Sequence, residues 1–170
     1  LLVKDIVLLK RMGIKIALVP GARKRIDEIL AAYTIVCPTV GGVRVTPPEA
    51  MPYVEMAAFD VSNRIMTLLS EDECNALIGN WVKARRLGVR DGTDYQCTGE
   101  TEKIKIDIIE RLLTESFIPI FPNIGWSGTG KPYNISSSEL AVTIASALHA
   151  SKLFFITDFG GISAESFETP

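Results

Sequence analysis

The most suggestive spacing in the sequence is a glycine-rich segment in which Gly130 and Lys131 follow Gly125. This spacing matches most of a P-loop, whose backbone N–H groups cradle phosphates and whose lysine offsets their charge. The motif then needs a Ser or Thr hydroxyl for Mg²⁺, but this sequence has Pro132 there. Proline also removes a backbone N–H from the point where such donors should converge. We therefore interpret the segment as the turn of a β-hairpin.

A second candidate is the glycine that follows a short apolar run, at Gly21. The amides of Gly21 and Ala22 would lie at the start of a predicted helix, where partial positive charge suits a carboxylate or phosphate. The sequence lacks the two further glycines of a dinucleotide-binding fingerprint. This corner is therefore either an anion contact or a purely structural turn.

Three further positions could contact a ligand, and each also has an ordinary structural explanation. Arg44 can clamp a carboxylate with two hydrogen bonds, or it can be a solvated surface charge. Asn134 precedes a predicted helix, where asparagine is by default a turn or cap residue. Thr157 and Asp158 follow an apolar run, a common place for a ligand contact and equally for a turn.

The cysteines and the single histidine exclude several kinds of chemistry. Cys37, Cys74 and Cys97 lie far apart and form no C-x-x-C pair. We therefore expect neither a disulfide framework nor a metal site, and reduced thiols predict a cytoplasmic location. His149 is the only histidine, so a Ser-His-Asp triad is excluded and we interpret it as a helix-end residue.

Composition predicts one folded domain and removes two classes of partner. The chain has 170 residues, of which 47% are hydrophobic and 22% charged, which excludes disorder. A formal net charge of -2 gives no reason to expect nucleic acid or an anionic membrane. Residue 1 is not methionine and opens into a helical pattern, so we expect a truncated domain of a longer protein.

Apolar periodicity predicts alternating helices and strands. Helices are predicted at 3–12, at 22–33, from the prolines at 47 and 48 to 69, from a cap at Asp107 through 115, and after the capping box of Ser136 and Glu139. Buried strands are predicted at 14–19, 117–121 and 153–156, and extended segments at 36–45, 81–85 and 93–106.

This order predicts an α/β fold, a three-layer sandwich with a mainly parallel central sheet and antiparallel additions. In such sheets ligands bind at the carboxyl ends of the strands. We therefore expect ligand contacts at residues 20–22, in the loop after Phe121, and at residues 157–158.

The order of these motifs resembles the amino acid kinase family, with its carbamate kinase-like fold, and in particular its acetylglutamate kinase and N-acetylglutamate synthase branch. The matching segments cover almost the whole chain, at residues 4–9, 13–14, 19–27, 43–46, 87–100, 133–135 and 152–158. Two of them resemble the synthase more than the kinase: residues 87–100, and the corner at 21–23, where the kinases have three consecutive glycines.

The resemblance implies a role for four of the candidate residues. Gly21 matches a phosphate-cradling glycine, and Ala22 stands next to it in the same corner. Arg44 matches the arginine that grips the substrate α-carboxylate, and Asn134 matches the asparagine that holds the substrate. Together these four residues would form a substrate-like pocket.

The nucleotide side departs from the kinase pattern. Thr157 and Asp158 match the start of the nucleotide-pocket loop, but Ser138 replaces an aspartate that organises two lysines in the kinases. A neutral hydroxyl cannot hold two cations as a carboxylate does, so we expect a vestigial nucleotide pocket without phosphoryl transfer. No residue of the chain is assigned a catalytic role.

The resemblance thus implies a kinase-like regulatory and oligomerisation domain of an N-acetylglutamate synthase. Such an enzyme transfers an acetyl group from acetyl-CoA to L-glutamate in the first step of arginine biosynthesis, using a domain expected beyond residue 170. The implied partners are L-arginine as effector, L-glutamate or N-acetylglutamate, and further copies of the chain, and no cofactor is expected in this domain. The alternatives are an acetylglutamate kinase, which transfers the ATP γ-phosphate to N-acetylglutamate, and an α/β ligand-binding module unrelated to arginine.

Overall fold

The computed structural model describes residues 2–157. The α-helices of this part are Leu2–Arg11 (α1), Arg23–Ala32 (α2), Met51–Ser70 (α3), Ile106–Thr114 (α4) and Ser137–Ala147 (α5), and a 3₁₀ turn at Pro48–Ala50 leads into α3. The strands are Thr39–Val40 (β1), Val43–Arg44 (β2), Ala76–Ile78 (β3), Val82–Arg86 (β4), Val89–Arg90 (β5), Thr93–Asp94 (β6), Gly99–Ile104 (β7), Ile118–Ile120 (β8), Ile124–Trp126 (β9) and Pro132–Asn134 (β10).

The largest sheet has four strands in the order β10-β9-β4-β7. Its central pair, β9 and β4, is parallel, while β10 and β7 add to its two sides in antiparallel orientation. A second parallel pair joins β3 and β8. The α/β class with antiparallel additions is therefore confirmed.

Side chains of β9 show that helices cover both faces of the large sheet. Ile124 belongs to a buried cluster with residues of α2 and α3, among them Ile26 and Val54. Gly125, the next residue, points to the opposite face, because successive residues of a strand alternate. A Cβ built on it would meet Ala84, which packs in a second cluster with residues of α4 and α5. The three layers predicted from the sequence are therefore present.

The remaining core lies between α1, the end of α3, and the β3–β8 pair. It buries Ile6 and Val7 of α1 together with Leu69 of α3 and two residues of β8, Ile118 and Ile120. The amphipathic pattern of α1 is thus satisfied by α3 and by the smaller parallel pair. Gly13 ends the predicted first helix as expected, with a φ of +83° that suits glycine.

Two predicted strands are not strands in the structure. In the segment 14–19, Leu18 makes a single parallel bridge to Ile120, through hydrogen bonds to the backbone of Pro119 and Phe121. The segment 153–156 forms no strand, and its Phe154 side chain is 74% exposed. An apolar run predicts burial, but a strand also needs neighbouring backbone to pair with, and the described residues provide little or none for these segments.

Two helix details also differ from the prediction. Helix α4 begins at Ile106 after Lys105, so Asp107 lies inside the first turn and does not cap the helix. Its carboxylate instead accepts a 3.5 Å hydrogen bond from Arg111. On α3, periodicity predicts Leu68 on the same face as Met51, but Leu68 is exposed and the neighbouring Leu69 is fully buried, because the end of that helix packs against α1.

Candidate functional site

A cleft of about 240 Å³ opens beside the start of α5 and brings together four of the predicted site residues. Ala22, Arg44, Asn134 and Ser138 all line it. They come from three separate parts of the chain, since Asn134 and Ser138 are only four positions apart, so the fold assembles the site from residues distant in sequence. The function of each remains a prediction.

The starts of two helices meet at this cleft. Ala22 is the residue before α2, and Ser136 caps α5 by accepting a 3.3 Å hydrogen bond from the Glu139 N–H, as the capping box predicted. Gly21 lies beside the start of α5, because a Cβ built on it would be 3.5 Å from Ser137 Oγ. Helix N-termini carry partial positive charge, so this end of the cleft favours an anion.

Arg44 supplies a full positive charge. Its side chain is only 13% exposed, and its Nη2 donates a 2.5 Å hydrogen bond to Asp27 Oδ1 of α2. A guanidinium carries five N–H donors in a planar fork, which allows it to hold a second carboxylate while it keeps this ion pair. The carboxylate-gripping role implied by the resemblance is thus compatible with its position.

Asn134 belongs to a buried chain of polar side chains. Its Oδ1 accepts a 3.0 Å hydrogen bond from Asn123 Nδ2, and its Nδ2 donates a 3.0 Å hydrogen bond to Thr46 Oγ1. The Thr46 and Thr98 hydroxyl oxygens are 2.9 Å apart, and Thr98 Oγ1 donates a 2.6 Å hydrogen bond to the carbonyl of Arg44. These side chains fix Asn134 and the backbone of Arg44 against each other.

Ser138 is the second residue of α5 and is exposed at the cleft. The carboxylate that lines the cleft on this helix comes from the next residue, Glu139. The residues that line the cleft in the described part of the chain include two arginines but no lysine. At the described wall of the cleft, Ser138 thus brings a neutral hydroxyl to the position where the resemblance implies an aspartate.

Of the predicted nucleotide-pocket residues at 157 and 158, the structure describes only Thr157. Thr157 is exposed and is not among the lining residues. Asp158 lies outside the described residues. Gly21 is adjacent to the cleft wall without lining it.

Asn123 and Thr98 are site residues that the sequence did not single out. The sequence did indicate the loop after Phe121 as a ligand-binding position, and Asn123 is in that loop. Thr98 lay within a motif that carried the family resemblance, yet nothing about a threonine marks it as a support for Arg44. Its role follows from the long-range bridge between residues 98 and 134.

Among the described residues, neither a cluster of metal ligands nor the Cys37 thiol supplies further chemistry near this cleft. The described residues contain no group of three or more His, Cys, Asp or Glu side chains suited to a metal ion. Burial raises the pKa of the Cys37 thiol despite the nearby charge of Arg44, so this cysteine is not an activated nucleophile. No helix within residues 2–157 is long and apolar enough to cross a membrane.

Comparison with known proteins identifies relatives over nearly the whole chain. The model of the amino acid kinase family matches residues 1–166. The amino-acid acetyltransferase of Ralstonia nicotianae is 35% identical, over 95% of this chain and 38% of that protein. The acetylglutamate kinase of Chromohalobacter salexigens is 34% identical, over 94% of this chain and 57% of that protein. The resemblance found in the sequence is thus confirmed.

Two solved structures of an N-acetylglutamate synthase are also similar to this chain. The N-acetylglutamate synthase of Neisseria gonorrhoeae in complex with coenzyme A and N-acetyl-glutamate has a TM-score of 0.89 and 31% identity, over 95% of this chain and 38% of that one. The same synthase with coenzyme A and L-arginine has a TM-score of 0.84 and 28% identity, over 95% of this chain and 40% of that one. The chain therefore spans about two fifths of the length of its acetyltransferase relatives.

Proposed function

The chain belongs to the amino acid kinase family, and from this premise we propose that it is the kinase-like regulatory and oligomerisation domain of an N-acetylglutamate synthase. It does not itself transfer phosphate. The observation that carries this proposal is the cleft at α5, where the neutral Ser138 stands at the helix start in place of a carboxylate. The similarity to amino-acid acetyltransferases supports the assignment to a synthase.

The absence of phosphoryl transfer follows from electrostatics. A transferring phosphoryl group carries charge on its equatorial oxygens, and cations fixed in advance around it supply most of the catalysis. Losing one preorganised donor from such a site raises the barrier by about 3 kcal/mol. Among the described residues, the neutral Ser138 cannot hold cations around the phosphates as a carboxylate would, so the preorganised charge that phosphoryl transfer needs is weakened at this wall of the cleft.

In the complete protein, acetyl transfer from acetyl-CoA to L-glutamate belongs to a separate acetyltransferase domain after residue 170. The domain described here binds L-arginine as effector, joins copies of the protein together, and works in the cytoplasm. The arginine complex of the Neisseria gonorrhoeae synthase supports the choice of effector. The substrate-like pocket of Gly21, Ala22, Arg44 and Asn134 would take L-glutamate or N-acetylglutamate.

The test uses the full-length protein and measures two reactions. We expect acetyl transfer from acetyl-CoA to L-glutamate, and no release or transfer of the ATP γ-phosphate with Mg²⁺ and N-acetylglutamate. The Ser138→Asp variant adds a carboxylate to the first turn of α5 and should stabilise the domain by about 0.5 kcal/mol, still without phosphoryl transfer. Phosphoryl transfer by the unaltered protein at enzymatic rates would overturn the proposal.

Arginine binding is tested by thermal unfolding. A ligand of the native state raises apparent stability, by about 2.7 kcal/mol at a concentration one hundred times its dissociation constant. We expect millimolar L-arginine to raise the Tm of the full-length protein, and L-citrulline, which lacks the charge, to have little effect. Equal shifts with both ligands would argue for an α/β binding module without arginine specificity.

The second candidate function is an acetylglutamate kinase. It is favoured by the similarity to the Chromohalobacter salexigens kinase and by Glu139, whose carboxylate lines the same cleft one residue after Ser138. If Glu139 replaced the missing aspartate, Glu139→Gln would abolish a measurable phosphoryl transfer. Under the proposed function there is no such transfer to abolish.

A further inference from the structure

The hydrogen bonds between the buried polar side chains at the cleft all run in one direction from donor to acceptor, and the carbonyl of Arg44 at the end of the chain fixes that direction. The carbonyl oxygen of Arg44 can only accept, so the single proton of the Thr98 hydroxyl is donated to it across 2.6 Å. The Thr46 hydroxyl is fully buried and 2.9 Å from Thr98 Oγ1. Because the Thr98 proton is used, Thr46 must donate to Thr98, since otherwise the two oxygens would face each other without a proton between them; the Thr46 oxygen then accepts from the next residue.

This direction settles how the two asparagine amides are oriented. The atom of Asn134 next to Thr46 must be the donor Nδ2, so its Oδ1 faces Asn123 at 3.0 Å. Asn123 must then donate from its own Nδ2. Amide orientation is otherwise assigned from the hydrogen-bond network rather than observed, and here the network ends in a carbonyl that allows one assignment.

This orientation of the amides leaves one buried acceptor, Asn123 Oδ1, without a hydrogen-bond donor among the described residues. Asn123 is 5% exposed, its Nδ2 is used by Asn134, and its Oδ1 is buried with no hydrogen bond among the described residues. Buried polar atoms are almost always paired, because leaving one unpaired is unfavourable by about 1–3 kcal/mol. Asn123 also lines the cleft that holds Arg44, so a bound molecule is placed to supply the missing donor.

We infer that Asn123 is a specificity-determining residue, which selects ligands that carry an N–H donor as well as a carboxylate. Arg44 and the N-termini of α2 and α5 attract the carboxylate, and Asn123 Oδ1 accepts from the nitrogen. Both a free α-ammonium group and an N-acyl amide offer that N–H, and a plain dicarboxylate does not. The inference rests on the proposed amino-acid pocket, but on neither the proposed arginine binding nor the absence of phosphoryl transfer.

The experiment measures binding of three probes to the full-length protein by calorimetry: L-glutamate, N-acetyl-L-glutamate and glutarate, which has no nitrogen. For the unaltered protein we expect at least one nitrogen-bearing probe to bind about tenfold or more tightly than glutarate, because glutarate leaves the Asn123 oxygen unpaired. The stronger of the first two identifies the form of the nitrogen. Equal affinity of all three probes would overturn the inference.

Two variants test whether the preference for a nitrogen-bearing ligand depends on Asn123. Asn123→Leu should reduce the preference over glutarate to less than about threefold, whereas the exposed Asn63→Leu on α3 should leave it unchanged. Retention of the full preference in Asn123→Leu would overturn the inference. Should that variant not fold, N-acetyl-N-methyl-L-glutamate tests the unaltered protein instead, and it should bind about as weakly as glutarate.

Arg44→Met distinguishes failure of this inference from failure of the pocket itself. Binding that depends on Arg44 without a preference for nitrogen overturns the role of Asn123 alone. If all three probes bind Arg44→Met as tightly as they bind the unaltered protein, they bind elsewhere in the protein. That result would overturn both the proposed pocket and the inference. Loss of binding in Arg44→Met, with the nitrogen preference intact in the unaltered protein, supports both.

Discussion

The charge of Arg44 is shared between the protein and any ligand that enters the cleft. Asp27 holds its Nη2 in the described structure, although the Asp27 side chain is itself 56% exposed. An exposed partner is held only weakly, because water competes with it. The ion pair therefore orients the guanidinium and at the same time competes with an incoming carboxylate.

Removing that competition should strengthen ligand binding. We expect Asp27→Asn to raise the affinity for the carboxylate ligand by about two- to fivefold, since surface ion pairs contribute up to about 1 kcal/mol. Calorimetry on the full-length protein measures the change. Asp107→Asn, which removes a similar exposed pair with Arg111 on α4, is the matched control and should leave the affinity unaltered. A weaker affinity in Asp27→Asn would show that Asp27 mainly positions Arg44.

Sequence reasoning at this scale finds residues that match a family motif more easily than the residues that support them. Arg44 and Asn134 were identified, and the loop that contains Asn123 was located, but Asn123 itself was not. An asparagine in a turn has an ordinary explanation. Its significance depends on a buried partner eleven positions away and on a threonine distant in sequence, which no local pattern records.

Close packing of β9 against β4 makes Gly125 a sensitive position. A Cβ at Gly125 would lie 2.5 Å from the Cβ of Ala84 on the neighbouring strand, whereas one at Gly128, in the same hairpin, would meet nothing within 4 Å. We expect Gly125→Ala to destabilise the domain by about 1–3 kcal/mol, as overpacked cores do, and Gly128→Ala to change stability little. Urea unfolding measures both, and equal effects would contradict the close contact.

An ion pair between Arg90 of β5 and Glu100 of β7 joins the β5–β6 hairpin to the large sheet. Glu100 of β7 accepts hydrogen bonds from Arg90 at 2.7 Å and from Arg85 at 2.8 Å. The hydrogen bond from Arg90, assisted by Arg85 and opposed by partial burial, lowers the pKa of the Glu100 carboxyl. A carboxyl whose pKa is lower in the folded state stabilises the protein at higher pH.

The sign of the resulting pH dependence can be tested with Glu100→Gln. The stabilisation is fully present above the unfolded-state pKa of about 4.3 and is lost as the pH falls through the lowered folded-state pKa. At pH 7 the variant should be less stable by at most about 1 kcal/mol, because the arginines are exposed. The difference should shrink below pH 4. Urea unfolding at several pH values, with the exposed Glu102→Gln as control, measures it, and a difference that grows at low pH would contradict the sign.

Elements were predicted well where they carry their own local signals. The capping box at Ser136, the double proline before α3, and the hairpin turn within 125–131 all lie where the sequence predicts them. The segments at 14–19 and 153–156 failed because strand formation depends on a neighbouring strand. The sequence predicts no element at residues 70–80, which contain β3, a three-residue strand whose partner β8 lies some forty residues later in the chain.

At the scale of the whole molecule, the proposed oligomer depends on the surface of α3. From the family resemblance, we expect the contact between copies in the region of residues 45–69. Most of the apolar side chains of α3 are buried against α2 and the large sheet, yet Met56 is 44% and Leu68 is 43% exposed. Exposed apolar side chains are individually ordinary, so their significance requires an experiment on assembly.

Light scattering of the full-length protein provides that experiment. We expect the unaltered protein to form a homo-oligomer, and Met56→Lys to shift it towards smaller species, because a charge buried in an interface without a partner is strongly unfavourable. Ile108→Lys on α4 changes a side chain that is similarly exposed, at 38%, and should leave the mass unchanged. Both variants should keep the Tm of the domain, since neither residue is in its core. A monomeric unaltered protein, or equal dissociation by the two variants, would show that α3 does not join the copies.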